Sequence, residues 1–158
     1  MEKKAPLKRD PALRHLSHDH HHGLLLCWKI RQGFKLGIEP ARMKNYCEWF
    51  WTSYLNPHFE EEEKVIFPIL PEDNLLIKQA LTEHKRLRKL FSSWENPEKT
   101  LGQIEEELEK HIRFEERILF PEIQEKATVE QLEAIAAHGK REKFVENGQD
   151  PFWVRSAR

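Results

Sequence analysis

Apolar residues recur along most of the chain at steps of three and four positions, the spacing of one face of an α-helix. Runs of alternating polar and β-branched residues, which would indicate strands, do not occur. Prolines stand between the periodic stretches, and proline is tolerated where a helix begins but stops a helix that is ending. The pattern predicts an all-α protein with four long helices, at residues 11–36, 40–68, 72–95 and 97–120.

The second predicted helix contains an interruption at Asn56-Pro57. Proline has no amide hydrogen, so the carbonyl of Ser53 would lose its usual donor. We therefore expect a kink that re-aims the next residue, His58.

Two further signals follow the fourth predicted helix. Thr128-Val-Glu-Gln131 has the form of a capping box, and it predicts a short helix that ends near Gly139. The tail beyond carries Phe152 and Trp153. This aromatic pair either docks on the helices or forms a surface for a partner.

A chain of 158 residues has the size of one domain. Short turns between successive helices favour antiparallel neighbours, so the prediction is an up-down-up-down antiparallel four-helix bundle with a short C-terminal helix and tail. The predicted parts are an N-terminal segment, the bundle, and the C-terminal helix with its tail, at residues 1–10, 11–125 and 126–158.

Composition narrows the class of protein. Charged residues make up 34% of the chain and mean hydropathy is −0.76, which favours a soluble helical protein over a membrane protein. The formal charge is −1 and no basic stripe is present, so nucleic acid is not an expected partner. The N-terminus has no apolar signal core, and a cytoplasmic location is expected. Cys27 and Cys47 fall in apolar helical patterns and are interpreted as buried reduced thiols.

The chain repeats one motif. The stretches His58–Pro68 and His111–Pro121 both read His-x3-Glu-Glu, followed by apolar residues and proline. Positions i and i+4 lie on one helix face about one turn apart, so each copy aims an imidazole and a carboxylate in the same direction.

The residues around four histidines indicate that this direction is the core. His20, His58, His84 and His111 each lie on an apolar stripe of a predicted helix. In the order of these histidines, the stripes consist of Leu13, Leu16, Leu24 and Cys27; of Cys47, Trp51, Tyr54, Val65 and Ile69; of Ile77, Ala80, Leu81, Leu87 and Phe91; and of Ile104, Leu108, Phe114 and Ile118. The midpoints in sequence between successive histidines, at residues 39, 71 and 97–98, fall on proline-marked turns, so the four histidines are expected at one level of the bundle.

Four imidazoles and two carboxylates in an apolar core need partners that balance their charge and satisfy their polar atoms, since a bare buried ion costs on the order of several kcal/mol. Arg88 is the only fixed positive side chain on these stripes, and one arginine is not enough for the set. A pair of cations would satisfy it, and the mixed nitrogen and oxygen donors favour iron or manganese over calcium, with zinc as an alternative. The predicted metal ligands are His20, His58, Glu62, His84, His111 and Glu115.

With these residues in place, roughly residues 11–125 resemble the hemerythrin-like family, also called the HHE cation-binding domain. The resemblance rests on Leu16–His20, on His58-Phe-x-x-Glu62, on Glu83-His84 and on His111-x3-Glu115. It implies two iron ions bridged by Glu62 and Glu115, with the four histidines as terminal ligands. Oxygen carriers of the family have a further histidine where this chain has Arg88, so the pattern looks closer to members that sense or handle iron and oxygen.

Several assignments stay open at this stage. His18, His21 or His22 is an alternative or additional ligand to His20, and Glu61 or Glu116 is an additional candidate beside the two glutamates. The rest of the acidic run Glu60–Glu63 is interpreted as mostly solvated. Tyr54, one turn before His58, is either a hydrogen-bond donor to the site or a packing residue.

The expected function is that of a di-iron protein, more a binding protein than an enzyme, that binds or senses dioxygen, nitric oxide or iron. The alternatives are a di-iron oxidase or peroxidase and a metal-free helical interaction module. A ferritin-like di-iron oxidase is disfavoured because its Glu-x-x-His pairs do not occur in this sequence.

Overall fold

The computed structural model describes residues 8–139 and 144–155. These residues form helices joined by short turns and contain no strand, which confirms the all-α class. The α-helices are α1 (Arg14–Lys35), α2 (Pro40–Phe50), α3 (Asn56–Glu61), α4 (Leu75–Ser92), α5 (Pro97–Phe114), α6 (Phe120–Lys126) and α7 (Val129–His138). Three π-helical stretches, Trp51–Leu55, Glu62–Ile66 and Glu115–Leu119, and two 3₁₀ turns, Pro11–Leu13 and Phe67–Ile69, extend them.

Four long helical segments result, at residues 11–35, 40–69, 75–92 and 97–126, and we call them the first to fourth segments. The third begins three residues later and ends three residues earlier than predicted from the sequence. The fourth runs six residues beyond its predicted end. The helix that opens at Thr128 is confirmed, with its capping box to Gln131, and it ends at His138 beside Gly139.

Side-chain caps fix where the segments begin. The Asp10 carboxylate accepts the Ala12 amide hydrogen at 2.9 Å, and the Asn74 side chain accepts those of Leu76 and Ile77. Asn96 adopts a left-handed backbone conformation, with φ of 44°, and caps α5. Such caps satisfy amide hydrogens that have no partner inside the helix.

Each π-helical stretch is followed by proline at the second position of the next element, namely Pro57, Pro68 and Pro121. Proline cannot donate a helical hydrogen bond and crowds the carbonyl four residues back, and a wider turn relieves both problems. The interruption predicted at Pro57 thus takes the form of a π-helical stretch, and helix continues past Pro121 to Lys126.

The extra residue in a π turn rotates the helix face that follows. Leu119 and Phe120 are therefore buried, whereas Ile118, which the regular α-helical pattern places in the core, is 52% exposed. Leu81 is also exposed, because it lies at the edge of the stripe that contains His84. The inward placement of Ile118 and Leu81 predicted from the sequence is wrong.

Two apolar clusters form the core, and their order alternates along the chain. One contains Leu26, Ile30, Met43, Phe50, Leu87, Phe91, Leu101 and Leu108 among others. The other contains Leu13, Leu16, Ile66, Phe67, Ile77, Ala80, Leu119 and Ile123 among others. In the first and third segments, the N-terminal part packs in the cluster that contains Leu13 and the C-terminal part packs in the cluster that contains Leu26. The second and fourth segments have the reverse order. Along each segment, the predicted metal ligands lie near the change from one cluster to the other.

The tail docks on this core, which is the first of the two roles considered for Phe152 and Trp153. Phe152 is 1% exposed and contacts the rings of Tyr46 and Trp153. Tyr54 donates to the carbonyl of Val145 and accepts its amide hydrogen, so Tyr54 holds the tail.

Cys27 and Cys47 are buried free thiols, as predicted. No helix among residues 8–139 and 144–155 combines the length and the apolar character that crossing a membrane requires.

Candidate metal centre

The six residues predicted as metal ligands converge in the interior, and each is at most 3% exposed. The histidines come one from each segment: His20 from α1, His58 from α3, His84 from α4 and His111 from α5. Glu62 and Glu115 each stand at the first position of a π-helical stretch.

These side chains form two groups that share both carboxylates. His20 and His58 form one group with Glu62 and Glu115, and His84 and His111 form the other with the same two glutamates. In each group the candidate ligand atoms lie within 4.8 Å of one another. Each imidazole thus belongs to one group, while each carboxylate lies between the two.

The inward ring nitrogens face the carboxylates and one another closely. His58 Nε2 and His84 Nε2 both lie 3.2 Å from Glu62 Oε1, and His111 Nε2 lies 3.3 Å from Glu115 Oε1. His20 Nε2 lies 2.9 Å from Glu115 Oε1 and 3.2 Å from His58 Nε2.

Several of these buried atoms lack a hydrogen-bond partner in the described part of the chain. They are both carboxylate oxygens of Glu62, Glu115 Oε2, His84 Nε2 and His111 Nε2. Polar atoms in a protein interior are rarely left in this state, because the desolvation cost is then uncompensated. Imidazole nitrogens and carboxylate oxygens that point at one place fit divalent or trivalent metal ions of the iron, manganese or zinc type.

The outward nitrogens of the same histidines are all engaged by carboxylates. His20 Nδ1 lies 2.8 Å from Glu116, His58 Nδ1 3.0 Å from Asp19, His84 Nδ1 2.7 Å from Glu63, and His111 Nδ1 2.7 Å from Glu83. An ionised carboxylate can only accept, so each Nδ1 carries the hydrogen and donates it. Nε2 of each ring is then the nitrogen that faces the centre, and it becomes free to bind metal when its own proton leaves.

The sequence interpretation missed the role of these four acidic residues. The sequence pattern places Glu63 in a solvated run, but its side chain is only 24% exposed because it binds His84 and pairs with Arg88 at 2.9 Å. Glu116 engages His20 from its outer side and belongs to neither group of candidate ligands. A signal was present, since each of the four stands next to a predicted ligand in the sequence.

The other open assignments are resolved by position. His18 and His21 are exposed, and His22 lies 3.3 Å from His18 and stacks on Phe144, so His20 alone of this cluster enters the centre. Glu61 is buried and contacts His15 Nε2 at 2.5 Å. Of the two roles considered for Tyr54, a hydrogen bond to the site is not formed, because its hydroxyl group binds Val145.

The surroundings alter the protonation of the centre. Burial alone would lower the pKa of His58, but the carboxylates of Glu62 and Asp19 raise this pKa to about 10. Burial likewise opposes a pKa of about 9 for His111, which Glu115 and Glu83 produce. Burial would raise the pKa of Glu115, yet neighbouring imidazoles, led by His111, hold it well below its usual range.

Metal binding is therefore expected to release protons near neutral pH. Without metal, His58 and His111 are protonated at pH 7, since their pKa values of about 10 and about 9 lie above it. A metal ion must displace these protons, so its affinity will rise as pH increases from 6 towards 9. Calorimetric titration at pH 7 in two buffers of different ionisation enthalpy measures the release. An affinity that is the same at pH 6 and pH 8 would contradict this expectation.

Comparison of the chain with models of known protein families, with curated proteins and with solved structures yields no match. The interpretation of the centre therefore rests on its geometry and chemistry.

Proposed function

We propose that this protein holds two metal ions in a centre of the hemerythrin-like type and uses it to bind or sense dioxygen, nitric oxide or iron itself. The observation that carries the proposal is the convergence of four imidazoles and two carboxylates at one buried place, with inward atoms that have no hydrogen-bond partner in the described chain. His20 and His58 would hold one ion, His84 and His111 the other, and Glu62 and Glu115 would bridge them.

The segment order supports an up-down-up-down antiparallel bundle as the scaffold. Successive segments cross the two apolar clusters in opposite directions, and the candidate ligands lie near the change from one cluster to the other on all four segments. Antiparallel neighbours joined by short turns produce this alternation, and such bundles build metal sites from inward side chains of facing helices.

Iron is the metal that we propose, with manganese or zinc as alternatives. The donor set is nitrogen and oxygen without thiolate, and this mixture suits iron and manganese better than calcium. Each ion would have four protein ligands, which leaves coordination positions open for a small molecule. An iron pair supplies such positions together with a change of oxidation state.

A cavity next to one half of the centre supports the approach of a small ligand to the metal ions from that side. It has a volume of about 220 Å³ and lies between α4 and α5, where Thr82, Glu83, Leu87 and His111 line it. The cavity beside His58 has only about 10 Å³, and Phe144 and Tyr54 line it. A space of about 10–15 Å³ is the minimum for one water molecule, so the cavity beside His58 has no room for a larger ligand.

Filling the larger cavity is expected to slow ligand binding. Thr82 is exposed at its rim, so Thr82→Trp should block the cavity without disturbing the core. We expect the rate of azide binding to the oxidised iron protein to fall about tenfold, equivalent to about 1.4 kcal/mol of barrier. Stopped-flow absorption measures this rate, with Lys85→Trp on the same helix as the control. Equal rates in both variants would show that ligands enter elsewhere.

The decisive experiment is iron quantification of protein from iron-replete cells, combined with the visible spectrum before and after adding oxygen. We expect two ions per chain and a spectrum that changes with oxygen. Protein without iron, manganese or zinc after such expression would refute the proposal.

An oxidase or peroxidase is a second candidate, favoured by the same cavity of about 220 Å³, which has room for a small organic electron donor. Turnover of peroxide with such a donor distinguishes the two functions. A cytoplasmic location stays a prediction from the sequence.

A further inference from the structure

We propose that Asp19, Glu63, Glu83 and Glu116 are positioning residues that act in two pairs, each pair controlling one of the two metal ions. This inference rests on the proposed dinuclear centre and assigns to each carboxylate one ion on which it acts.

The hydrogen bonds to the outer ring nitrogens determine the pairs. Glu116 and Asp19 accept from His20 and His58, at 2.8 and 3.0 Å, and these two histidines belong to one candidate group. The other group has the same arrangement. Glu63 and Glu83 accept from His84 and His111, both at 2.7 Å.

Every carboxylate comes from a segment different from that of its histidine. Asp19 on the first segment holds the histidine of the second, and Glu63 on the second holds that of the third. Glu83 on the third holds the histidine of the fourth, and Glu116 on the fourth returns to the first. The contacts therefore close a ring around the centre, and each ring nitrogen is aimed by a neighbouring helix.

Three of the four carboxylates are themselves held in place by other side chains. Glu116 accepts hydrogen bonds from Ser17 at 3.0 and 2.9 Å and lies 3.5 Å from Arg9. Glu83 and Glu63 also have polar neighbours. Gln79 donates to Glu83 at 3.0 Å, and Arg88 pairs with Glu63 at 2.9 Å. These carboxylates are anchored before an ion binds, so their acceptor atoms are preorganised.

Each carboxylate fixes two properties of its imidazole. It keeps the hydrogen on Nδ1, so that Nε2 is the nitrogen that binds metal once its proton has left, and its negative charge makes the Nε2 lone pair more basic. Removing such a partner typically lowers metal affinity about 10–100-fold. The loss should fall on the ion whose histidine has lost its acceptor.

The test is an anaerobic titration of the metal-free full chain with cobalt(II), whose visible absorption reports the ligands around each ion. We expect Glu83→Gln to weaken one ion about 10–100-fold and to leave the other close to its original affinity. Glu107→Gln is the matched control, since Glu107 pairs with Arg86 at 2.9 Å on the same face of the molecule. Glutamine keeps the size of the side chain, and the unfolding midpoint of each metal-free variant verifies that it folds.

Two double variants test the division into pairs. Glu63→Gln with Glu83→Gln should leave one strong ion per chain, because both changes act on the same ion. Asp19→Asn with Glu83→Gln should weaken both ions. Single variants that retain two ions at the original affinity would overturn the positioning role, and identical behaviour of the two double variants would overturn the pairing. Original protein that binds no cobalt(II) would instead refute the dinuclear centre.

Discussion

Replacing Glu115 by alanine will remove both metal ions, the largest effect of any single substitution that we expect. Its carboxylate belongs to both groups of candidate ligands, and its side chain is fully buried. Without it, each ion loses a negatively charged ligand, and only Glu62 remains between the two groups to balance the four imidazoles. Metal content per chain, measured by plasma emission spectrometry after purification, should fall from two ions to nearly none.

Two further variants show whether this loss is specific. His58→Ala removes a ligand of one group only, so at least one of the two ions should be lost. His138→Ala changes an exposed histidine at the end of α7 and should leave the metal content unchanged. Similar metal loss in all three variants would show that the centre is placed wrongly.

Removing the metal will lower the thermal unfolding midpoint by roughly 10–20 °C. A ligand that binds only the folded state stabilises it by about 2.7 kcal/mol at a free concentration 100 times its dissociation constant, so two ions contribute about 5 kcal/mol. In a domain of this size, 1 kcal/mol corresponds to a shift of about 2–4 °C. Calorimetry of the loaded protein with and without a strong chelator measures the difference.

The Glu115→Ala variant serves as the control for that measurement. If the chelator acts only by withdrawing metal from the centre, this variant will unfold at the same temperature with and without it. A chelator effect of equal size in the variant and in the original protein would contradict the interpretation.

Much of the site could be predicted from the sequence because it rests on periodicity. The repeat around His58 and His111 fixes the relative direction of imidazole and carboxylate, since both residues of each pair lie on one helix. His20 and His84 could be added because apolar neighbours at helical spacing identify the inward face. All four histidines and both glutamates accordingly lie in the centre.

The ring of carboxylates could not be predicted in the same way. Its members hold histidines on other segments, and helical spacing within one segment says nothing about such contacts. Glu63 illustrates the difficulty, because on its own helix it belongs to the outer side of an acidic run, and only the approach of α4 makes it a hydrogen-bond acceptor.

The π-helical stretches were also hidden, since a regular step of 100° per residue was assumed for the whole helix. The extra residue in the π turn rotates the side chains of this stretch, so Ile118 lies on the exposed face and not on the predicted inward face. Lys44 was missed for another reason. It is fully buried, and its ammonium group donates to the Phe91 carbonyl at 2.6 Å near the end of α4, a contact that only the packed structure brings about.

The two halves of the chain contribute to the centre in equal measure. Residues 11–69 contribute two histidines, one glutamate shared by both groups of candidate ligands, and two outer carboxylates, and residues 75–126 contribute the same kinds of residue in the same order. Two paired copies of one such helical hairpin would therefore supply every residue type of the candidate centre. By the same reasoning, a designed homodimer of one hairpin is expected to reproduce the proposed metal centre.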